Sequence, residues 1–270
     1  MQNKVLEKLA QGQPVLGTIT HLKSPVAVEA IGTAGLDYIM LDMEHCPMDW
    51  GDVQSAITAA DAAEITPFVR ISEGTRSAVL HALDVGAKGI IIPCIESVEQ
   101  VKDMVSYAKF HPLGSRGYCM TRDGKWGYDA AYAEGLSGYM RESNAHAMLI
   151  PQCETIGCLE HIEEIAALPG VDGILFGPYD LSIAMGLEGQ FTHPIFRAAV
   201  ERVLAACKAS GKMSMIFAGS DEDMRRSLED GFDNILFGLD ILSLIGHYTG
   251  VAAAFREYNT AHDDTQRRCQ

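Results

Sequence analysis

An apolar run from Tyr38 to Leu41 ends in Asp42-Met43-Glu44-His45, two carboxylates and an imidazole at the close of what reads as a buried strand. Charge is costly in an apolar interior unless it is paired, bound to metal or opened onto a cleft, so such an ending points to chemistry. The competing reading is a strand that stops in a solvated loop. Repetition weighs against it. Arg70 closes Thr66 to Val69, Gln152 and Glu154 close a run from Ala147, Gly177-Pro178-Tyr179-Asp180 follows Gly173 to Phe176, and Asp240 follows Asn234 to Gly238.

Glu154 and Asp180 belong to neighbouring strands and have no basic partner close by in sequence. Two converging oxygen donors suit a hard divalent ion, Mg²⁺, Mn²⁺ or Co²⁺, with water and substrate filling the open positions. The plainer alternative is two separately solvated acids. Gln152 lies two residues before Glu154, on the same face by the strand period, where it could hold a water or a substrate oxygen. Arg70 would offer a fixed positive charge to an enolate or carboxylate, unless it serves only a structural ion pair. His45 stands just past a strand end among acids, placed to act as a general base, and His21 is the next candidate. The turn at Gly177-Pro178 could turn backbone N–H groups toward a carboxylate.

Missing residues narrow the chemistry further. A Schiff-base mechanism needs a lysine projecting from a strand, and none of the expected strands contains one. There is no GxSxG elbow and no Gly-rich phosphate loop after a strand; Gly219-Ser220-Asp221 reads as a helix cap. Cys46 alternates away from His45 if the chain stays extended, which argues against a cysteine nucleophile.

These residues need a scaffold that gathers strand ends. Eight short β-like runs, at Val15–Ile19, Tyr38–Asp42, Thr66–Arg70, Gly89–Pro93, Ala147–Cys153, Gly173–Phe176, Met213–Phe217 and Asn234–Gly238, alternate with helix-period segments. Gly35, Gly86, Gly211 and Gly231 each stop a helix shortly before the next strand. The pattern predicts a (β/α)8 barrel, a TIM barrel, preceded by a capping helix from Val5 to Leu9, with an open doubly wound sheet as the competitor. A single domain over 1–258 and a frayed polar tail over 259–270 are expected, with no linker between domains. The segment from His111 to Asn144, carrying Arg116, Arg122 and Lys125, is long for a strand-to-helix connection and breaks the rhythm. Its charges either read a distal carboxylate or sugar hydroxyl, or are simply solvated.

Of 270 residues 47% are hydrophobic, enough for one sizeable core, and the formal charge of −15 would repel nucleic acid and anionic membranes. Neither is an expected partner; a small molecule is. Seven scattered cysteines, never spaced as CxxC, indicate reduced thiols, and no apolar stretch is long enough for a membrane span. A cytoplasmic enzyme is expected.

From about Leu16 to Leu244 the chain resembles the metal-dependent (class II) pyruvate aldolases, which include 4-hydroxy-2-oxoheptanedioate aldolase and 2-keto-3-deoxy sugar-acid aldolases. The resemblance rests on Leu16-Gly17-Thr18, Asp42-Met43-Glu44-His45, Val69-Arg70, Leu83-Asp84-Val85-Gly86, Gly114-Ser115-Arg116-Gly117, Gln152-Cys153-Glu154, Gly177-Pro178-Tyr179-Asp180 and Gly238-Leu239-Asp240. It implies that Glu154 and Asp180 bind the metal and that Arg70 steadies a keto oxygen. It implies that His45 forms a base dyad with Asp84, within or across subunits. Asp42, Gln152 and the Gly177-Pro178-Tyr179 backbone would contact substrate. It also implies a homo-oligomer, typically a hexamer, whose barrels exchange their last helix. Ile19, Tyr179 and the stretch Tyr118 to Arg122 depart from the family pattern where the aldehyde half should bind. The expected reaction is reversible cleavage of a 4-hydroxy-2-oxo acid into pyruvate and an aldehyde. A related carbon–carbon lyase or a 2-oxo-acid decarboxylase using the same enolate is the runner-up, told apart by release of CO₂. A non-catalytic metabolite-binding barrel would bind pyruvate without exchanging its methyl protons.

Overall fold

The chain was described from a computed structural model covering residues 3–268, of which 260–268 are described by backbone alone. Among the described residues eight parallel strands close into a barrel in sequence order, with β8 pairing back onto β1. The order is α1 (Lys4–Ala10), β1 (Val15–Thr20), α2 (Pro25–Thr33), β2 (Tyr38–Asp42), α3 (Trp50–Ala62), β3 (Thr66–Arg70), α4 (Arg76–Asp84), β4 (Gly89–Ile92) and α5 (Val98–Ala108). It continues through two 3₁₀ turns (Arg122–Gly127 and Ala130–Glu134), α6 (Gly135–His146), β5 (Met148–Cys153), α7 (Ile156–Glu160), α8 (Ile162–Ala167), β6 (Gly173–Phe176) and α9 (Pro178–Ala184). It ends with α10 (Pro194–Ser210), β7 (Met213–Ala218), α11 (Asp221–Asp230), β8 (Asn234–Leu239) and α12 (Asp240–Arg268).

Two cores hold this architecture. Inside the barrel Tyr38, Met40, Phe68, Ile91, Ile150 and Met215 interdigitate, while a larger shell packs between strands and helices. The interior takes two stacked aromatic rings, Tyr38 and Phe68, 4.8 Å apart, because the facing positions are glycines. A Cβ on Gly17 would sit 2.4 Å from the Tyr38 ring and one on Gly89 2.7 Å from Phe68. The predicted capping helix closes the amino-terminal mouth: Val5 is fully buried in the interior cluster and the Asn3 amide donates to the carbonyls of Lys88 and His146. All four predicted glycine stops hold the left-handed φ that other residues resist, as at Gly211 (+64°) and Gly231 (+102°).

Two expectations change. The helix α12 runs on to Arg268, so most of the residues predicted to fray continue a helix, while Cys269 and Gln270 lie outside the described residues. The segment 111–144 follows α5 and precedes β5, so it is a helix-to-strand connection at the amino-terminal rim, opposite the strand ends that carry the acids. Its arginines are spent there. Arg116 is buried against Asp84 (2.9 Å) and Asp123 (3.4 Å), and Arg122 pairs with Asp61 (2.7 Å) and donates to the Val85 carbonyl. Within one chain neither side chain faces the carboxyl-end site.

Candidate active site

Strand order brings the ends of β2, β3, β4, β5 and β6 side by side. Asp42 and Arg70 are register partners on β2 and β3, which places a carboxylate beside a guanidinium at the last rung. Arg70 Nε and Nη2 donate to the two Asp42 oxygens at 2.9 and 2.8 Å, a bidentate fork that fixes the plane of the guanidinium. Asp42 is fully buried and also receives the Glu44 N–H (3.0 Å) and faces His21 Nε2 (2.8 Å). Burial alone would raise its pKa, but the Arg70 hydrogen bonds and charge, with His21 and the Glu44 N–H, outweigh it and hold the carboxyl below its ordinary value. Both oxygens of Asp42 are engaged by protein, so it aims Arg70 and His21.

His21 is fixed from behind. Asp240 accepts Thr20 Oγ1 (2.5 Å) and the N–H groups of His21 and Leu22 (3.0 and 3.1 Å), locking the turn after β1. Cys46 is buried and its thiol donates to the His21 carbonyl, so it is no nucleophile.

The free side of Arg70 meets acids. Its Nη1 lies 3.2 Å from Glu44 Oε2. Glu154 is 6% exposed; burial pushes its carboxyl up, the Cys94 N–H and the Gln152 amide pull it down, and the charge of Asp180 pushes it up again. The Cys94 N–H reaches Glu154 Oε1 at 2.7 Å and Gln152 Nε2 donates to Oε2. Gln152 is 3% exposed, yet its Oε1 has no hydrogen-bond partner. A buried acceptor without a donor is costly, which suits a group that arrives with the ligand. Arg70, Gln152, Gly177, Pro178, Tyr179 and Asp180 line one cavity of about 70 Å³ at this mouth. Gly177 is needed for its shape: a Cβ there would lie 2.9 Å from Glu154 Cβ and 3.3 Å from Glu154 Oε2.

Two acids repelling each other beside an unpaired amide oxygen fit a divalent cation, which would relieve both. Glu154 and Asp180 would hold it. Glu44, Cys94 and Glu154 also bring three donor atoms within 4.8 Å of one another.

Other expected residues stand apart. The His45 side chain is 60% exposed on the rim, with Glu44 Oε2 3.7 Å from its Nε2, too far for a hydrogen bond. Asp84 ends α4, a helix that starts past the carboxyl end of β3 and returns to the opposite rim, where it pairs with Arg116. One chain therefore does not bring Asp84 to His45. The Gly177 N–H is taken by the Cys153 carbonyl (3.0 Å), α9 has no side-chain cap because Gly177 at its N-cap has no side chain, and Pro178 offers no N–H. Tyr179 is half exposed and packs edge-on against Phe191 and Phe217, at 5.0 and 5.9 Å. The reading of strand ends passed over β4 and so missed Cys94; the same test, applied at Pro93-Cys94, finds it.

Residues 18–246 match the family model described as HpcH/HpaI aldolase/citrate lyase. A 2-dehydro-3,6-dideoxy-6-sulfogluconate aldolase of Pseudomonas putida is 34% identical over 221 residues, 80% of this chain and 83% of that protein. A hydroxypyruvate/pyruvate aldolase of Cupriavidus necator is 30% identical over 251 residues, 92% of this chain and 91% of its own length. Among solved structures, an HpcH/HpaI aldolase/citrate lyase family protein from Burkholderia cenocepacia superposes with a TM-score of 0.86 at 33% identity, covering 94% of this chain and all of that one. The barrel, the acid-bearing strand ends and these matches agree: the chain belongs to the HpcH/HpaI aldolase/citrate lyase family.

Proposed function

We propose that the protein is a divalent-metal-dependent aldolase that reversibly cleaves a 4-hydroxy-2-oxo acid into pyruvate and an aldehyde. The observation that carries this reading is a rigidly held guanidinium, the Asp180 carboxylate and an unpaired buried amide oxygen lining one cavity, with the Glu154 carboxylate bonded to that same Gln152 amide and packed against Gly177. Glu154 and Asp180 would hold a divalent ion, whether Mg²⁺, Mn²⁺ or Co²⁺, which would supply Lewis acidity to the reaction.

The side chains do the rest. Gln152 and the first turn of α9 orient the pyruvate end, and Tyr179 with Phe217 bounds it. His45, exposed on the rim, takes the proton of the C4 hydroxyl directly or through water. The C3–C4 bond then breaks, the aldehyde leaves, and the electron pair spreads onto the 2-oxo oxygen as an enolate. Arg70 lies ready for that oxyanion because Asp42 has already fixed its orientation, so no reorganisation is required as charge develops. Proton return to C3 completes pyruvate.

A homo-oligomer belongs to the same proposal. Leu244, Tyr248, Val251, Phe255 and Tyr258 form an exposed stripe along α12 at helical spacing, an apolar face that a second copy would cover, and a hexamer exchanging this helix fits it. Asp84 would then serve the His45 of another subunit. A cytoplasmic location is part of the reading, supported by six described cysteines that are all free. Among the described residues no helix is long and apolar enough to cross a membrane.

Pyruvate release from 4-hydroxy-2-oxo acids, coupled to NADH consumption by lactate dehydrogenase, tests the proposal. Activity should vanish with chelator, return with a divalent ion, and fall by roughly 10²- to 10⁴-fold in His45→Ala. Full activity in chelator, or unchanged turnover in His45→Ala, would overturn it.

A further inference from the structure

We propose that Cys94 is a sulfur donor to the divalent ion held at Glu154, so that this centre prefers borderline-soft cations, Co²⁺ and Zn²⁺, over Mg²⁺. The inference rests on the metal-site reading above and adds a ligand to it. Cys94 follows β4, and its Sγ lies 3.8 Å from Glu44 Oε1 while its own N–H is hydrogen-bonded to Glu154 Oε1. Donors on one tetrahedral ion with zinc-type bond lengths stand about 3.5 Å apart, so the sulfur and the two carboxylates of Glu44 and Glu154 are already near ligand spacing.

The second observation is independent of the cysteine. Gln152, 97% buried by its 3% exposure, holds its amide against Glu154 and leaves Oε1 without a donor. A hydrated cation at Glu154 would bring the missing donor. No protein cation other than Arg70 forms an ion pair with Glu44 among the described residues, apart from the distant contact of His45, so the acidic side of the site keeps unneutralised charge. Cys94 is exposed, so its thiol is within reach of an ion from solvent.

Ligation would exchange the S–H bond for an S–metal bond, with the proton passing to water and no change of oxidation state. Thiolate favours Zn²⁺ and Co²⁺, whereas an all-oxygen site favours Mg²⁺ and Mn²⁺.

Metal-free full-length protein titrated with Co²⁺, wild type beside Cys94→Ser, provides the test. Wild type should develop a near-ultraviolet sulfur-to-cobalt charge-transfer band together with visible d–d bands. Cys94→Ser should keep the d–d bands, lose the charge-transfer band, and bind Zn²⁺ about 10- to 100-fold more weakly, with Mg²⁺ affinity little changed. Saturable d–d bands in wild type without the charge-transfer band would overturn the sulfur assignment and leave the Glu154 site standing. Unchanged Co²⁺ binding in Glu154→Gln would instead overturn the site reading itself. A Cys94→Ser protein with wild-type Zn²⁺ affinity would also refute the proposal.

Discussion

Replacing Asp42 by Asn tests how the site is held. The carboxylate is fully buried, takes two Arg70 hydrogen bonds at 2.9 and 2.8 Å, and faces His21 at 2.8 Å. Asn preserves the shape but offers an NH₂ where Oδ2 accepted from Arg70, so one arm of the fork meets a donor and a buried guanidinium loses its counter-charge. Breaking one side of a buried pair costs about 3–5 kcal/mol. At the usual unfolding entropy per residue, a chain of this length would lose roughly 5–9 °C in melting temperature. Turnover should fall on the order of 100-fold through misdirection of Arg70, with a smaller change in KM. Asp42 is held below its ordinary pKa, so its stabilisation is complete above the unfolded carboxyl value of about 3.9 and is lost as pH falls through the lower folded value. The difference between wild type and variant should therefore be largest at neutral pH and close in acid. Denaturant melts across pH, with the coupled pyruvate assay at neutral pH, measure both. A variant with unchanged melting temperature and turnover would refute the assignment of Asp42 as the residue that positions Arg70.

Glu154 sits above its ordinary pKa because of burial and the charge of Asp180, so the metal-free fold loses stability as pH rises through that raised value. Glu154→Gln should accordingly be at least as stable as wild type without metal at neutral pH, yet gain no melting temperature from Mn²⁺; calorimetry with and without the ion checks this. Asp233 is pushed up to about 6 by burial, against the opposing N–H and hydroxyl of Ser214. Asp233→Asn should match wild type only below the unfolded carboxyl value of about 3.9, gain steadily as pH rises from there through about 6, and be on the order of 1 kcal/mol more stable above pH 7, after allowing for partial solvent exposure. If Asp84 serves a neighbouring His45, mixed and reassembled His45→Ala and Asp84→Asn subunits should recover activity that neither parent has, whereas a dyad within one chain would give none.

The barrel was legible because two periodicities agree: β-branched runs of about five residues and glycine stops fall in the same frame, and each expected strand is present to within two residues. The chemistry was legible for the same reason, since Asp42, Arg70, Gln152, Glu154 and Asp180 all lie at or just beyond carboxyl ends. What sequence could not assign was the partner of each charge. Asp42 and Arg70 become one unit only through the β2–β3 register, and the fork makes Asp42 a support for the guanidinium. The long segment 111–144 reads as a strand-to-helix connection until α5, whose capping box begins at Ser97, is recognised before it, which makes it a helix-to-strand connection. Cys94 escaped because the strand-end reading passed over β4, and its position past that strand would not by itself have given its neighbours. Its left-handed backbone (φ +54°) and its approach to Glu44 and Glu154 exist only in three dimensions.

Deuterium exchange at the methyl group of pyruvate in D₂O, followed by proton NMR, tests most directly whether this site forms an enolate. It requires no knowledge of the natural aldehyde. The account predicts exchange with wild-type protein and a divalent ion, loss of exchange on chelation, and strong suppression in Glu154→Gln and Arg70→Lys. Exchange that persists undiminished in chelator, or no exchange by a folded, metal-loaded enzyme, would contradict it.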